Sequence, residues 1–204
     1  MIERKSDRVP KLRWNPGTVL CPCPVVMVTC QCEDSKPNIV TVAWIGTICS
    51  DPPMLSISVR PERHSHRLIT ESGEFVVNVP TLDLTRATDY CGVVSGKEVD
   101  KFERTGLTAA PAVVVRPPVI QECPLNIECR VARTLDLGSH TMFLAEVVAV
   151  QAEASLMTAE GRLAFERAGL IAYAHGHYYA LGKTLGHFGY SVRKRPATRA
   201  RTRR

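Results

Sequence analysis

Met54-Leu55-Ser56-Ile57-Ser58-Val59-Arg60 alternates without a break: Leu55, Ile57 and Val59 face one side of an extended chain, Ser56 and Ser58 the other. That is the signature of a half-buried strand, and the surrounding sequence repeats its texture. Upstream, Val25-Val26-Met27-Val28-Thr29 is rich in β-branched residues and follows prolines. Asp34-Ser35-Lys36-Pro37-Asn38 has the composition of a turn, and Ile39-Val40-Thr41-Val42-Ala43-Trp44 reads as the return strand. Asp51-Pro52-Pro53 stops that element before the alternating strand begins. Downstream, Glu62 to Glu71 predicts a short helix with Leu68 and Ile69 as its apolar contacts, ended by Gly73. Phe75-Val76-Val77-Asn78-Val79 is a further strand, closed by Pro80. Asp83 to Tyr90 predicts a helix and Cys91 to Gly106 a loop. Leu125 to Val131 and Met142 to Val150 predict two more strands around the turn cluster Asp136-Leu137-Gly138-Ser139-His140, and the chain from Leu163 onward reads as irregular. About six strands, short helices and no βαβ alternation predict a mainly β fold, a small barrel rather than a doubly wound sheet.

The bulk numbers agree with one domain. The chain has 204 residues, 45% of them apolar and 23% charged, enough for a sizeable core. Its longest apolar stretches are far too short to cross a bilayer. The first eight residues are charged and lead into no apolar signal core, so the expected location is the cytoplasm. The net charge of +6 is local: seven of the 26 basic residues lie among the last 12 positions, from Arg193 to Arg204. Without them 19 basic groups face 20 acidic ones, a balance of −1. The expected division is an N-terminal extension over 1–14, one domain over 15–190, and a basic disordered tail over 191–204. The tail offers a route to RNA or an acidic partner, but a solvated terminus explains it as well, and nucleic acid is not the expected partner.

Eight cysteines in such a chain predict free thiols rather than a disulfide framework. Cys21-Pro22-Cys23 and Cys30-Gln31-Cys32 each place two sulfurs on one face of an extended chain, yet nothing completes a zinc set, so no metal is expected. Cys91 and Cys123, beside turns, stay open as candidate reactive thiols. Standard catalytic patterns are missing: there is no Gly-x-Ser-x-Gly, His-Glu-x-x-His or dinucleotide glycine fingerprint. Gly182-Lys183-Thr184 ends like a phosphate loop, but position 177, where its first glycine belongs, is His.

What remains is a set of polar residues at strand ends and loops. Ser58, Arg60, Arg63, Ser65 and His66, beside a helix start, bring together the donors that a phosphate needs. Trp44 offers a face for a flat conjugated ring. The same residues also read as surface ion pairs and a core indole, the plainer reading of the residue types alone.

The order of segments adds a resemblance. Asn38 to Trp44 followed by Pro52 to Arg60, then Ser65-His66-Arg67-Leu68-Ile69, Gly73 to Pro80, Ser95-Gly96 through Asp100-Lys101-Phe102, and Gly138-Ser139-His140 with Phe143 to Val147 resemble the flavin reductase-like, FMN-binding split-barrel family. The likeness runs over roughly residues 15 to 190 and is strongest to flavoredoxin-type members; five pieces in order specify far more than one. The resemblance implies a homodimeric, Greek-key split β-barrel with FMN as cofactor and contacts at Asn38, Trp44, Ser65, Lys101, His140 and Tyr173. Arg60 would add charge at the phosphate, and Thr41, Ser58 and His66 complete the candidate set. Lys101 and His140, as cations beside the ring, are the candidates for a catalytic role, and no general acid or base is assigned.

By this resemblance the chain is an NAD(P)H-dependent flavin reductase or a flavoredoxin-like electron-transfer protein, with NADH or NADPH as donor and a small molecule or protein as redox partner. The alternatives are a non-catalytic flavin carrier or sensor, and a partner- or RNA-binding protein acting through the basic tail.

Overall fold

The structure is a computed structural model and describes residues 9–192. The expected basic tail from Arg193 onward, and residues 1–8 of the expected extension, lie outside the described residues. Twelve strands and three α-helices follow one another: β1 Cys23–Pro24, β2 Val26–Cys30, β3 Asn38–Val42, β4 Ile45–Ser50, β5 Pro53–Val59, α1 His64–Ser72, β6 Glu74–Val79, α2 Thr85–Val93, α3 Lys101–Thr105, β7 Ala109–Ala110, β8 Val119–Ile120, β9 Leu125–Asp136, β10 Thr141–Ala152, β11 Ile171–Ala174 and β12 His177–Ala180.

Seven of the strands form one antiparallel sheet in the order β3-β2-β6-β9-β10-β5-β4. Its two outer members, β3 and β4, are consecutive in the chain and joined only by Ala43-Trp44. In a flat sheet they would lie roughly 29 Å apart, whereas the link from Val42 to Ile45 reaches at most about 11 Å. The sheet therefore has to curl until its edges meet, which makes it a barrel split along that seam, where β3 and the end of β5 face the opening. The Ser58 N–H donates to the Trp44 carbonyl at 2.9 Å and fastens the crossing to β5.

The inward residues of the curled sheet fill the barrel. Val26, Val28, Val40, Val42, Leu55, Ile57, Val59, Phe75, Val77, Phe143 and Ala145 are all buried, and α1 contributes Leu68 and Ile69. Strand β2 is covered on both faces, so all five of its residues are buried, Thr29 included. On its outer face Met27, with Ile39 of β3, packs against Cys91 of α2, Phe102 of α3 and Leu107. A smaller sheet, β1-β11-β12, and the β7-β8 pair flank the barrel.

Several expectations change. The run Ile39–Trp44 is not one strand, because β3 ends at Val42 and the chain crosses to β4, a strand not anticipated from sequence. The expected loop from Cys91 to Gly106 contains α3, whose Asp100 side chain caps the Glu103 N–H at 3.3 Å and whose end is turned by Gly106 at φ 69°. The region after Leu163 is not irregular throughout: Tyr173-Ala174-His175-Gly176-His177-Tyr178 is a tight hairpin, with φ 48° at His175 and 90° at Gly176, the double positive φ that a two-residue type I′ turn demands. Cys91 and Cys123 are both buried; burial pushes the Cys91 thiol up to about 11, and burial followed by the neighbouring Glu122 carboxylate also raises Cys123. Neither thiol is activated, which removes them as reactive candidates.

Glu128 on β9 has no exposed surface. Its carboxylate accepts from the backbone N–H groups of Val113, Val114 and Val115 at 2.9, 2.7 and 3.1 Å and from Gln151 Nε2 at 2.9 Å. Burial by itself would raise its pKa, but these donors outweigh it and hold the group below its ordinary 4.5. Its contribution is complete above pH 4.5 and is lost as pH falls through the lower folded value, because the unfolded chain takes up the proton first. Glu128→Gln should destabilise the fold by about 2–3 kcal/mol at neutral pH. Denaturant unfolding should show that deficit shrinking in acid.

Candidate functional site

The split in the barrel is the cleft. Its larger compartment, about 450 Å³, is walled by Val40 and Val42 of β3, the Ala43-Trp44 crossing, the Ser58–Arg60 end of β5, Gly92 and Val93 of α2, His140, and Tyr173 and Tyr178 of the β11–β12 hairpin. Trp44 is 41% exposed, so its indole is a cleft wall and not core. A second compartment of about 350 Å³ shares Val40, Arg60 and Arg63 with the first and is completed by Asn38, Glu62, His64, Ser65, Val94, Ser95, Gly96 and Lys101.

The narrower compartment is built around the start of α1. Arg63, the N-cap residue, makes no side-chain cap and the first turn carries no acidic residue, so the helix presents N–H groups with no helical acceptor toward this side. Ser65 is buried, and its hydroxyl oxygen accepts from Asn38 Nδ2 at 2.7 Å, which leaves the hydroxyl hydrogen available. Asn38 is held flat by Gly96: a Cβ at position 96 would lie 2.0 Å from Asn38 Oδ1. Lys101 is only 3% exposed, and its ammonium donates to the carbonyls of Ile39 at 2.6 Å and Cys91 at 2.7 Å. Burial lowers its pKa, while the two carbonyls compensate its charged form. Lys101 thus ties β3 to the end of α2 from beneath the compartment. Arg60 and Arg63 add two exposed guanidiniums; Arg60 meets Glu62 at 3.4 Å, a surface pair that costs little to rearrange.

Of the residues singled out from sequence, Asn38, Ser65 and Lys101 come together in the narrow compartment, and Thr41, Trp44, Ser58, His140 and Tyr173 in the wide one, with Arg60 common to both. Lys101 and His140, both expected near a ring, line different compartments, Lys101 the narrow one and His140 the wide one. Thr41 spends its hydroxyl on the Thr88 carbonyl and packs on Gly92, fixing α2 over β3. His66 lines neither compartment; its Nε2 meets Thr141 Oγ1 at 2.9 Å and its ring lies 5.5 Å from that of Phe143, bracing α1 on β10. His140 is oriented by Ser139, whose hydroxyl oxygen lies 2.9 Å from Nδ1.

His64, one of the polar residues at the start of α1, lines the narrow compartment, whereas Asp89 in the wide one carried no recognisable signal in the sequence. Asp89, on α2, is the one carboxylate among the described residues of the wide compartment, and it accepts from the Tyr178 hydroxyl at 3.1 Å. Burial first, and the bond to Asp89 second, push the Tyr178 phenol up to about 12, so it remains a protonated donor. Helix and hairpin are 89 residues apart in sequence at this contact, so only the tertiary fold reveals it. Among the described residues no group of three or more His, Cys, Asp or Glu side chains is placed to hold a metal ion.

Gly96→Ala should force Asn38 from its bond with Ser65 and destabilise the protein by about 1–3 kcal/mol, as overpacking does. Thermal unfolding reads this loss, and a Gly96→Ala variant as stable as the parent would show that the loop yields instead.

Comparison with known proteins agrees with this architecture. The flavin reductase like domain pattern matches residues 18–182. The solved structure of the flavoredoxin of Desulfovibrio vulgaris (Miyazaki F) superposes with a TM-score of 0.85 at 31% identity, over 90% of this chain and 100% of that one. An uncharacterized protein of Archaeoglobus fulgidus is 38% identical over 115 residues, 56% of this chain but only 65% of that relative. The ferric-chelate reductase (NAD(P)H) of the same organism is 30% identical over 144 residues, 67% of this chain and 73% of that protein. With the split barrel and its two-part cleft in place, the chain belongs to the flavin reductase-like domain family.

Proposed function

We propose that the chain binds FMN in this cleft and uses it to pass electrons from NADH or NADPH to a small molecule or a redox protein, as a flavin reductase or a flavoredoxin-like carrier. The observation that carries this reading is the junction of two unlike compartments through Arg60 and Arg63. The narrow one offers hydroxyl, amide and guanidinium donors suited to a phosphate; the wide one offers indole and phenol faces suited to a planar ring. Both volumes fall within the ordinary range for small-ligand sites, roughly 300–1,000 Å³.

Ser65, Arg60, Arg63 and the first-turn N–H groups of α1 would hold the phosphate, with Asn38 and Lys101 fixing the floor beneath. Trp44, Tyr173 and His140 would hold the ring. FMN when bound supplies hydride acceptance and electron transfer; the side chains supply position and charge. Asp89 and Tyr178 close the wide compartment on the hairpin side and keep a protonated phenol there. A donor nucleotide would dock against the open side of this compartment, since the chain has no separate glycine fingerprint for it.

The same reading takes residues 15–190 as the working domain, in the cytoplasm, where the eight cysteines would stay free, as they are in this structure. No helix among the described residues is long and apolar enough to cross a membrane. A homodimer is part of the proposal. What supports it is a set of large apolar side chains left bare: Leu12, Trp14, Leu20, Leu185 and Phe188 stand almost fully exposed on the two terminal segments. An apolar groove of about 430 Å³ between the small sheet and the barrel adds to that surface.

Purified protein should take up one FMN per subunit. Arg60→Ala combined with Arg63→Ala should weaken FMN by about tenfold or more while changing riboflavin far less, measured by quenching of flavin fluorescence. Mixing FMN-loaded protein anaerobically with NADH or NADPH should bleach the flavin band rapidly. A band that persists with both nucleotides would instead assign the cleft to a non-catalytic flavin carrier or sensor.

A further inference from the structure

His64 is the first residue of α1 and lines the narrow compartment beside Asn38, Ser65 and Gly96. Its Nδ1 is shut off from solvent and has no hydrogen-bond partner among the described residues. The other nitrogen, Nε2, is not buried in this way and meets no polar group of the described residues, so it is the ring nitrogen left for a ligand. We propose that His64 is an uncharged Nε2–H donor to a phosphate oxygen and a determinant of preference for FMN over riboflavin; this rests on the flavin reading of the cleft.

The position of the ring proton decides the role of His64. An imidazole with its hydrogen on Nδ1 would bury an N–H with no acceptor, a rarer and costlier defect than an unused acceptor lone pair. A doubly protonated ring would do the same and add a charge among cations. Arg67 lies on its own helix, Lys97 on the loop opposite, Lys101 on α3, and Arg60 and Arg63 on the approach to α1; Glu71 and Glu62 are the acidic groups near it. Burial, followed by Arg67, Lys97 and Lys101, lowers the His64 pKa against the opposing pull of Glu71. The neutral Nε2–H form is the one that satisfies all of these constraints. Such a donor recognises a phosphate without requiring a further buried charge to be desolvated, complementing the guanidiniums at the rim.

The shapes of two amides make this testable. A glutamine side chain places its NH₂ near the position of Nε2, whereas asparagine reaches only to Nδ1. His64→Phe and His64→Asn should each lose about tenfold in FMN affinity, with riboflavin affinity unchanged, and His64→Gln should retain most of the parental FMN affinity. The riboflavin measurement also reports that each variant is folded. In the FMN-loaded parent, nitrogen NMR of the ring should show the neutral Nε2–H tautomer between about pH 6 and 8. Parental FMN affinity in His64→Phe, a His64→Gln variant as weak as His64→Phe, or an imidazolium signal with FMN bound would each overturn the inference. A parent protein that binds riboflavin and FMN equally would overturn it as well, while a parent that binds neither would bring down the flavin reading itself.

Discussion

Two residues hold the architecture together. Ala43 and Trp44 connect the strands at opposite ends of a seven-stranded sheet, and so short a link compels the sheet to roll up on itself. The seam stays open where the chain crosses it: Trp44 lines the opening, and its carbonyl accepts a backbone hydrogen bond from Ser58 of β5. A connection that is topologically simple thereby creates both the barrel and its opening. The cleft is a consequence of the fold's closure and not an addition to it.

The opening is then furnished from four directions. Strand β3 brings Asn38 and Thr41, the end of β5 brings Ser58 and Arg60, the start of α1 brings His64 and Ser65, and the β11–β12 hairpin brings Tyr173 and Tyr178. Much of the polar chemistry is internal bracing. Lys101 grips two carbonyls, Thr41 a third, and Asn38 the Ser65 oxygen. These bonds satisfy groups that would be costly to bury alone, and they hold the donors that face the cleft in place before any ligand arrives. Preorganisation of this kind lowers the ordering cost of binding. On the far side of the barrel the Glu128 carboxylate performs the same service for the segment at residues 113–115, gathering three backbone donors that no strand would otherwise satisfy.

The two compartments of the cleft differ in how far local sequence encodes them. The physical reading of residues 58–66 reached only an anion site, and the geometry sustains that much independently: an uncapped helix start, two guanidiniums and a buried hydroxyl share one compartment. The ring compartment was not derivable in the same way. Trp44 looks like core in a strand-rich sequence, and only the crossing at the barrel's seam leaves it 41% exposed. His66 makes the opposite point. Its place in a cluster of donors suggested a ligand contact, but one residue along a helix is a rotation of about 100°, which carries it from the cleft side at Ser65 to Thr141 and Phe143.

By itself the sequence determined the local features: the alternating strand at Leu55–Val59, the helix ended by Gly73, the paired strands around Gly138, and the concentration of charge beyond residue 192. Each depends on a periodicity or a turn residue read over fewer than about 15 positions. The α3 cap at Asp100 with Glu103 and the hairpin turn at His175-Gly176 carried local signals of the same kind that went unread. Tertiary structure alone decided which edges of the sheet meet, that Lys101 and His140 face different compartments, that Asp89 joins Tyr178, and that one nitrogen of His64 lies buried and unpaired. Those outcomes depend on contacts between residues far apart in the chain, and no local pattern encodes the curvature of a sheet that brings them together.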